Sequence, residues 1–239
     1  MFKHIIALFP EHTTYAEPFC GAAQLFFRKS PSRVEILNDL DGDLINFYRC
    51  AQSHYEELVR YLKFCLISRK WFELLKATAP ETLTDIQRAA RLFLLQKQTY
   101  AGLIVKQHYH YGVIQRPNFN PARIPELIEE THKRLQHVQI ECLPYEEVLK
   151  RYDRPSTLFF VDPPYWGPKL YKFNFAPSDF TVLAERLAGL KGRFILSLND
   201  RPEVRQVFGQ FRQRPLTVAY SAQRQSAKRF GELLIYNFG

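Results

Sequence analysis

The segment TLFFVDPPYWG, residues 157–167, ends an apolar run with a carboxylate, two prolines and two aromatic rings. Such a run is typical of a central strand in a parallel sheet. The carboxylate of Asp162 would then stand at the tip of that strand, partly shielded from water. Pro163 and Pro164 fix two φ angles and offer carbonyl oxygens without competing N–H groups, and Tyr165 offers a flat face.

This set of groups suits the binding of a planar molecule that carries an NH2 group. Asp162 and the Pro163 carbonyl would accept its two N–H bonds, while an aromatic ring stacks on its face. An exocyclic amine is a poor nucleophile because its lone pair is delocalised, and two fixed acceptors would help to localise that pair. The structural alternative is a rigid Pro-Pro turn in which Asp162 caps a helix.

Two upstream segments point to a nucleoside cofactor. Gly21 follows the predicted strand of AEPFCGAA, where glycine lets the backbone approach a ligand closely. Asp39 ends the strand of RVEILND, a position where a carboxylate accepts both ribose hydroxyls in nucleoside-binding sheets. The alternative is that Asp39 or Asp41 only caps the next helix. Because the full dinucleotide glycine pattern is missing, we expect a cofactor without a pyrophosphate.

Alternating strand and helix patterns predict an α/β fold with a doubly wound, mostly parallel, seven-stranded sheet. The predicted strands are residues 13–19, 33–39, 137–143, 156–162, 193–200, 215–221 and 232–238, the last two as an antiparallel pair. The predicted helices are residues 21–29, 42–64, 70–77, 84–98, 124–135 and 179–190. In such sheets ligands bind beyond the carboxyl ends of the strands, where Gly21, Asp39 and Asp162 fall.

A basic, mostly helical insertion, residues 67–137, is expected to interrupt the catalytic domain, residues 1–66 and 138–239. The net charge is +9, and residues 86–125 and 204–231 contain basic side chains but no acid. Two acid-free basic stretches suggest surfaces for a polyanion, although a generally basic surface is the alternative. Residues 100–121, aromatic and rich in turn formers, read as a hairpin or loop.

Other classes of protein find little support in the sequence. The four cysteines are scattered without the spacing of a zinc site or a disulfide framework. His108 and His110 would share one face of a strand, but no further ligands suggest a metal, so we expect none. No signal peptide or membrane-helix pattern is present, so the sequence predicts a cytoplasmic protein, expected to be a monomer.

These motifs, in this order, resemble the Dam-like DNA adenine methylases of phage and prophage type. AEPFCGAAQLFF is similar to the cofactor loop of that family, ILNDLDGDLINFY to its ribose-binding segment and FFVDPPY to its catalytic motif. FILSLND and YSAQRQSAKRFGELLIYNF are similar to its later strands and C-terminal basic loop. The resemblance implies a Rossmann-like methyltransferase fold, S-adenosylmethionine as methyl donor and a flipped adenine of double-stranded DNA as acceptor.

The resemblance also implies roles for individual residues. The target base would be held by Asp162, Pro163, Pro164 and Tyr165. The cofactor would be contacted by Glu17, Phe19, Cys20, Gly21, Asp39, Leu40 and Asp162. DNA would be contacted by Tyr100, Lys106, Tyr109, Tyr111, Arg116, Arg224 and Lys228.

Two departures from the family pattern keep other functions open. Ala23 stands where the family usually has a second glycine, and the usual Gly-Gly-Lys segment before the first strand is absent. One alternative is therefore a DNA-binding module with a crippled cofactor site. Another is methylation of a different amine, such as cytosine N4, an RNA adenine or a protein glutamine. The hairpin shows no base-reading pattern, so the methylation would be site-specific or of low specificity.

Overall fold

The fold is taken from a computed structural model, which describes residues 1–99, 109, 120–169, 171–218 and 230–239. Its strands are β1 (Thr14–Glu17), β2 (Val34–Asn38), β3 (Val138–Glu141), β4 (Thr157–Val161), β5 (Arg193–Asn199), β6 (Arg212–Val218) and β7 (Phe230–Tyr236). They form one sheet in the order β3-β2-β1-β4-β5-β7-β6. β1 pairs in parallel with β2 and β4, and β4 with β5, whereas β7 is antiparallel to β5 and β6. The predicted doubly wound, mostly parallel sheet is confirmed.

The helices are α1 (Phe2–Ile6), α2 (Gly42–Ser53), α3 (Tyr55–Leu62), α4 (Arg69–Ala77), α5 (Asp85–Gln98), α6 (Ile124–Leu135), α7 (Tyr145–Tyr152), α8 (Pro177–Ala188) and α9 (Pro202–Val207). The helices predicted at residues 70–77, 84–98, 124–135 and 179–190 correspond to α4, α5, α6 and α8 within two residues at each end. The sequence patterns did not predict α7 and α9, which are short.

Two helix predictions were wrong. Residues 21–29 form successive turns, because Gly21 and Ala23 have φ angles of +46° and +48° that a right-handed helix cannot contain. The single helix expected over residues 42–64 is two helices. His54 interrupts it with φ −136° and ψ 38°, closing the last turn of α2 through a hydrogen bond to the Cys50 carbonyl.

The chain divides into two compact units, Met1–Leu40 with Glu141–Gly239, and Asp41–Ile140. The first unit contains a core in which β4 is buried along its whole length, with Phe159, Phe194 and Leu196 among its fully buried side chains. In the second unit α2 packs against α5 and α6. This second unit is wider than the expected insertion, since it begins at Asp41 rather than at residue 67. Its role in recognising DNA stays a prediction.

The strand order places a topological switch point between β1 and β4. From β1 the chain moves outward to β2 and β3, then returns to β4 on the other side of β1. Ligands of open α/β sheets bind in the crevice that such a reversal leaves at the carboxyl ends of the strands. Glu17 ends β1 and Asp162 directly follows β4, so the fold brings two carboxyl groups to this crevice.

Candidate active site

Asp162 lies at the tip of β4 with its side chain exposed to solvent. No residue that the structure describes hydrogen-bonds to or pairs with its carboxylate, and none donates to the Pro163 carbonyl. Protein atoms crowded around the carboxyl group raise the pKa of Asp162 to about 7, and the nearby carboxyl of Glu232 adds to this shift.

The loop after Asp162 is held from β5. The Trp166 N–H donates to Asn199 Oδ1 at 3.0 Å, and Asn199 Nδ2 donates to the Trp166 carbonyl at 3.1 Å. The Trp166 ring packs against Phe180, with 4.7 Å between ring centroids. Trp166 therefore anchors the loop to the core. Tyr165, which is closer to Asp162 in the chain, is the other aromatic residue of the motif.

Tyr165 is partly buried, and its hydroxyl donates to Glu232 of β7, lying 3.1 Å from each carboxylate oxygen. The Ser197 hydroxyl of β5 donates to the same carboxylate at 2.6 Å. Burial raises the pKa of Glu232, and these two hydrogen bonds oppose the rise. The predicted base-holding loop is thus supported from beneath by two strands.

The predicted cofactor loop is tied to the end of β2. Gly21 N–H donates to Asp39 Oδ2 at 3.0 Å, and Cys20 N–H donates to the Asn38 carbonyl at 2.8 Å. A Cβ built on Gly21 would meet no atom within 4 Å, so the loop borders open space. Leu40, which follows Asp39, leaves 48% of its surface exposed.

The other predicted cofactor residues lie deeper. Glu17 is buried, and its Oε1 accepts hydrogen bonds from the Tyr15 hydroxyl at 2.6 Å and the Phe26 N–H at 3.0 Å. Burial raises the pKa of Glu17 to about 8, with the Asp162 carboxyl adding to the shift. Burial also raises the pKa of the Cys20 thiol. Phe19 is half-buried, with its ring centroid 5.0 Å from that of Tyr145.

Ala23 occupies the position at which the resembling family usually has glycine, and its backbone explains that preference. Its φ of +48° is in the left-handed region, which costs a residue with a Cβ about 1–2 kcal/mol. Its side chain is buried at 1% exposure, and its N–H donates to the Cys20 carbonyl. The turn therefore keeps the geometry of a glycine turn and carries some backbone strain.

Most of the predicted DNA contacts lie outside the described residues: Tyr100, Lys106, Tyr111, Arg116, Arg224 and Lys228, as do His108 and His110. Tyr109 is described, and it forms an antiparallel bridge with Thr99. Its ring packs against Phe72 at 5.6 Å, and the Arg69 guanidinium lies 5.8 Å from the ring centre.

Two basic side chains of the acid-free stretch hold helices together in the second unit. Arg88 of α5 pairs with Asp43 of α2. The Arg91 guanidinium donates to the carbonyl oxygens of Leu75 and Lys76 on α4. Lys97 and Arg123 are the other described basic residues of this stretch. Within the described part of the chain, neither makes a contact of this type that joins two helices.

Four residues that support the site were not predicted from the sequence. Asn38, fully buried, donates through Nδ2 to the carbonyls of Pro18 and Leu143 and accepts from the Leu143 N–H. Asn199 holds the Trp166 backbone, and Ser197 and Glu232 support Tyr165. All four are polar residues inside otherwise apolar strands, which is the signal that could have identified them, because buried polar groups need hydrogen-bond partners.

Two absences hold within the described part of the chain. It contains no helix that is long and apolar enough to cross a membrane. It also contains no cluster of three or more His, Cys, Asp or Glu side chains arranged to hold a metal ion.

Comparison with known proteins gives a consistent family match. The model of the D12 class N6 adenine-specific DNA methyltransferase family matches residues 1–214. The Type II methyltransferase M1.LlaDCHI of Lactococcus lactis subsp. cremoris is 25% identical over 262 residues, covering 100% of this chain and 92% of its own. The DNA N-6-adenine-methyltransferase of Escherichia phage P1 is 25% identical over 237 residues, covering 90% of this chain but only 31% of the phage protein.

Among solved structures, the crystal structure of SMU.472 complexed with SAH aligns with a TM-score of 0.43 and 12% identity. The alignment covers 100% of this chain and 52% of that one. This likeness is too weak to bear on function, which depends on the family match.

Proposed function

We propose residue roles for a chain that belongs to the D12 class N6 adenine-specific DNA methyltransferase family. As a member of that family, it transfers a methyl group from S-adenosylmethionine to N6 of adenine in DNA. In the proposed roles, Asp162 and the Pro163 carbonyl accept the two N6 hydrogen bonds, and Tyr165 stacks on the adenine ring. The observation that carries this proposal is the exposed Asp162 carboxylate at the switch point, with no partner among the described residues.

The described residues of the first unit suit a sulfonium nucleoside. The open space above Gly21 would admit the cofactor, and the exposed Leu40 side chain offers an apolar contact for its purine ring. Asp39, placed beside Gly21, has the carboxylate chemistry needed for two ribose hydroxyls. When bound, S-adenosylmethionine supplies a methyl group that is already electrophilic. Glu17 is proposed to act indirectly, by holding the turn at Phe26 under the cofactor loop.

Methyl transfer then depends on how the protein holds N6. Two fixed acceptors draw the N6 hydrogens out of the base plane, so that the lone pair points at the methyl carbon. The N–C bond forms as the C–S bond breaks, and the extra proton on N6 has to leave. Asp162 is proposed to accept it, since a carboxylate with a pKa of about 7 is well matched to proton transfer near neutral pH.

The test is methyl transfer from labelled S-adenosylmethionine to unmethylated duplex DNA, followed by digestion to nucleosides and mass analysis. Wild-type protein should yield N6-methyladenine, and both Asp162→Ala and Asp162→Asn should lose activity by at least about a hundredfold while remaining folded. Asp200→Asn is the matched control, because Asp200 directly follows the neighbouring strand β5 but pairs with Arg205 on the surface. Retained activity in the Asp162 variants would overturn the assigned role.

The same assay separates the alternatives expected from the sequence. Detection of N4-methylcytosine would make cytosine in DNA the substrate. Transfer of the label to RNA or to protein glutamine, and not to DNA, would make one of those the substrate. Calorimetry with S-adenosylmethionine tests the alternative that the protein is a DNA-binding module with a crippled cofactor site. Binding that weakens in Gly21→Ala supports the proposed cofactor loop, and no heat at millimolar ligand favours the module.

Double-stranded DNA is proposed to lie against the basic stretches at residues 86–125 and 204–231. Lys97 and Arg123 are exposed cations in the described part of the first stretch. If each contacts a phosphate, Lys97→Ala or Arg123→Ala lowers the slope of log K against log salt by about 1. Arg205→Ala is a control on the second stretch, because Arg205 donates two hydrogen bonds to Asp200 at 2.6 and 2.8 Å, whereas Arg123 lies 3.6 Å from the exposed Glu126. An unchanged slope in both Lys97→Ala and Arg123→Ala would place the DNA elsewhere.

A further inference from the structure

A buried carboxyl group lies between β5 and β7, directly behind the loop that follows β4. Glu232 is only 3% exposed, although the strand that carries it is otherwise apolar from Leu233 to Ile235. It is paired across the antiparallel ladder with Asn199, the residue that holds the Trp166 backbone. Burying a carboxyl group is costly unless hydrogen bonds compensate, so its partners indicate what it does.

The partners of Glu232 come from two different elements. Ser197 Oγ donates to Oε1 at 2.6 Å from within β5, and the Tyr165 hydroxyl approaches both carboxylate oxygens at 3.1 Å. Ser197 is itself 2% exposed, so it fixes the carboxylate from the rigid side of the sheet. The carboxylate can then hold Tyr165, which lies in the loop that follows β4.

We infer that Glu232 is a positioning residue, which fixes the ring of Tyr165 over the place where the target adenine binds. The inference rests on the proposed function of the Asp162–Tyr165 loop. Pinning the hydroxyl of a tyrosine restricts the first side-chain torsion, so it fixes where the ring lies relative to Asp162. A base held between fixed acceptors and a fixed ring is correctly oriented before methyl transfer, whereas a loose ring misplaces N6.

Glu232 also acts on Asp162 through its charge, which gives the inference a second readout. Among the described residues, Glu232 in β7 raises the pKa of Asp162, and the Asp162 carboxyl in turn raises that of Glu17 at the end of β1. The protein atoms crowded around the carboxyl group are the main cause of the raised pKa of Asp162, and Glu232 raises it further. Removing the charge of Glu232 therefore lowers the pKa of Asp162, so Asp162 stays ionised to lower pH.

The experiment compares Glu232→Gln, Glu232→Leu, Tyr165→Phe and the Tyr165→Phe/Glu232→Leu double variant in steady-state methyl transfer to DNA. Glutamine keeps an acceptor for the tyrosine hydroxyl, so Glu232→Gln should retain most of kcat while the acid limb of its kcat/KM profile moves to lower pH. Glu232→Leu removes the carboxylate acceptor of the Tyr165 hydroxyl, and kcat should fall by about a hundredfold with little change in the KM for S-adenosylmethionine. In the Tyr165→Phe background, Glu232→Leu should cause no further loss.

Several outcomes would overturn the inference. A wild-type kcat for Glu232→Leu would show that the contact is idle, and losses that multiply in the double variant would show that Glu232 does not act through Tyr165. If the acid limb of the kcat/KM profile does not move in Glu232→Gln, the charge of Glu232 does not raise the pKa of Asp162. If Glu232→Leu does not fold, the pH profile of Glu232→Gln and the kcat of Tyr165→Phe still test the inference. Inactivity of the wild-type protein toward adenine in DNA would instead overturn the proposed function.

Discussion

Replacing Glu17 with glutamine should stabilise the protein above neutral pH and leave its stability nearly unchanged in mild acid. Glu17 is 2% exposed, and burial raises its pKa from 4.5 to about 8 in the folded protein. Between these two values the folded state holds a proton that the unfolded chain has released. The free energy of unfolding must therefore decrease as pH rises through this window.

The size of the effect follows from the same linkage. One group contributes a slope of at most about 1.4 kcal/mol per pH unit. Hydrogen bonds from Tyr15 and Phe26, together with the charge of Lys29, favour the ionised form and limit the shift. The Glu17→Gln variant should be more stable than wild type by about 1–3 kcal/mol at pH 8.5. At pH 5 the two should be nearly equal, because the folded wild-type protein then carries a neutral Glu17.

Urea unfolding of both proteins at several pH values between 5 and 8.5 measures this difference. Asp162 also has a raised pKa and gives a slope of the same sign. It is present in both proteins and cancels in the comparison except for its charge coupling to Glu17. Glu17→Leu is the control for lost hydrogen bonds. It removes the acceptor that Glu17 provides to the Phe26 N–H and the Tyr15 hydroxyl, and it should be less stable than Glu17→Gln by about 2–4 kcal/mol at every pH. Parallel stability curves for wild type and Glu17→Gln would refute the reasoning.

Three other predictions concern the site. Gly21→Ala should lose about 1 kcal/mol of stability in urea, because φ is +46° and the new methyl meets no atom within 4 Å, so a larger loss would indicate a clash. Asn199→Leu removes both hydrogen bonds to the Trp166 backbone and should cost about 2 kcal/mol together with a lower kcat, whereas unchanged kinetics would show that the clamp is dispensable. The wild-type kcat/KM for methyl transfer should fall below about pH 7 as Asp162 takes up a proton, and a flat profile to pH 5.5 would contradict this.

Much of the fold could be read from the sequence, because strand and helix patterns are local. The apolar run of β4 and the alternation of β2 appeared where they were predicted, and the two C-terminal strands begin three and two residues earlier than predicted. The same patterns placed Asp39 and Asp162 directly after strands. The failures were local as well. Residues 21–29 have helical spacing, but Gly21 and Ala23 adopt the positive φ angles of a turn, which interrupt a helix.

The support around the site could not be read from the sequence in this way, because its contacts join distant parts of the chain. Asn199 meets Trp166 across 33 residues, and Glu232 meets Tyr165 across 67. The sequence shows only that each is a polar residue in an apolar strand. Which partner each one finds depends on the strand order, which brings β5 beside β4 and β7 beside β5.

The sequence by itself therefore determined the types of groups at the strand ends: a carboxylate, proline carbonyls, an aromatic ring and a glycine turn. Only the tertiary structure decided that Asp162 is open to solvent while Glu17 and Glu232 are buried nearby. The physical reason is that burial and the pKa values that follow from it are properties of packing between elements. Side-chain chemistry is fixed residue by residue, whereas the environment that tunes it exists only once the sheet has assembled.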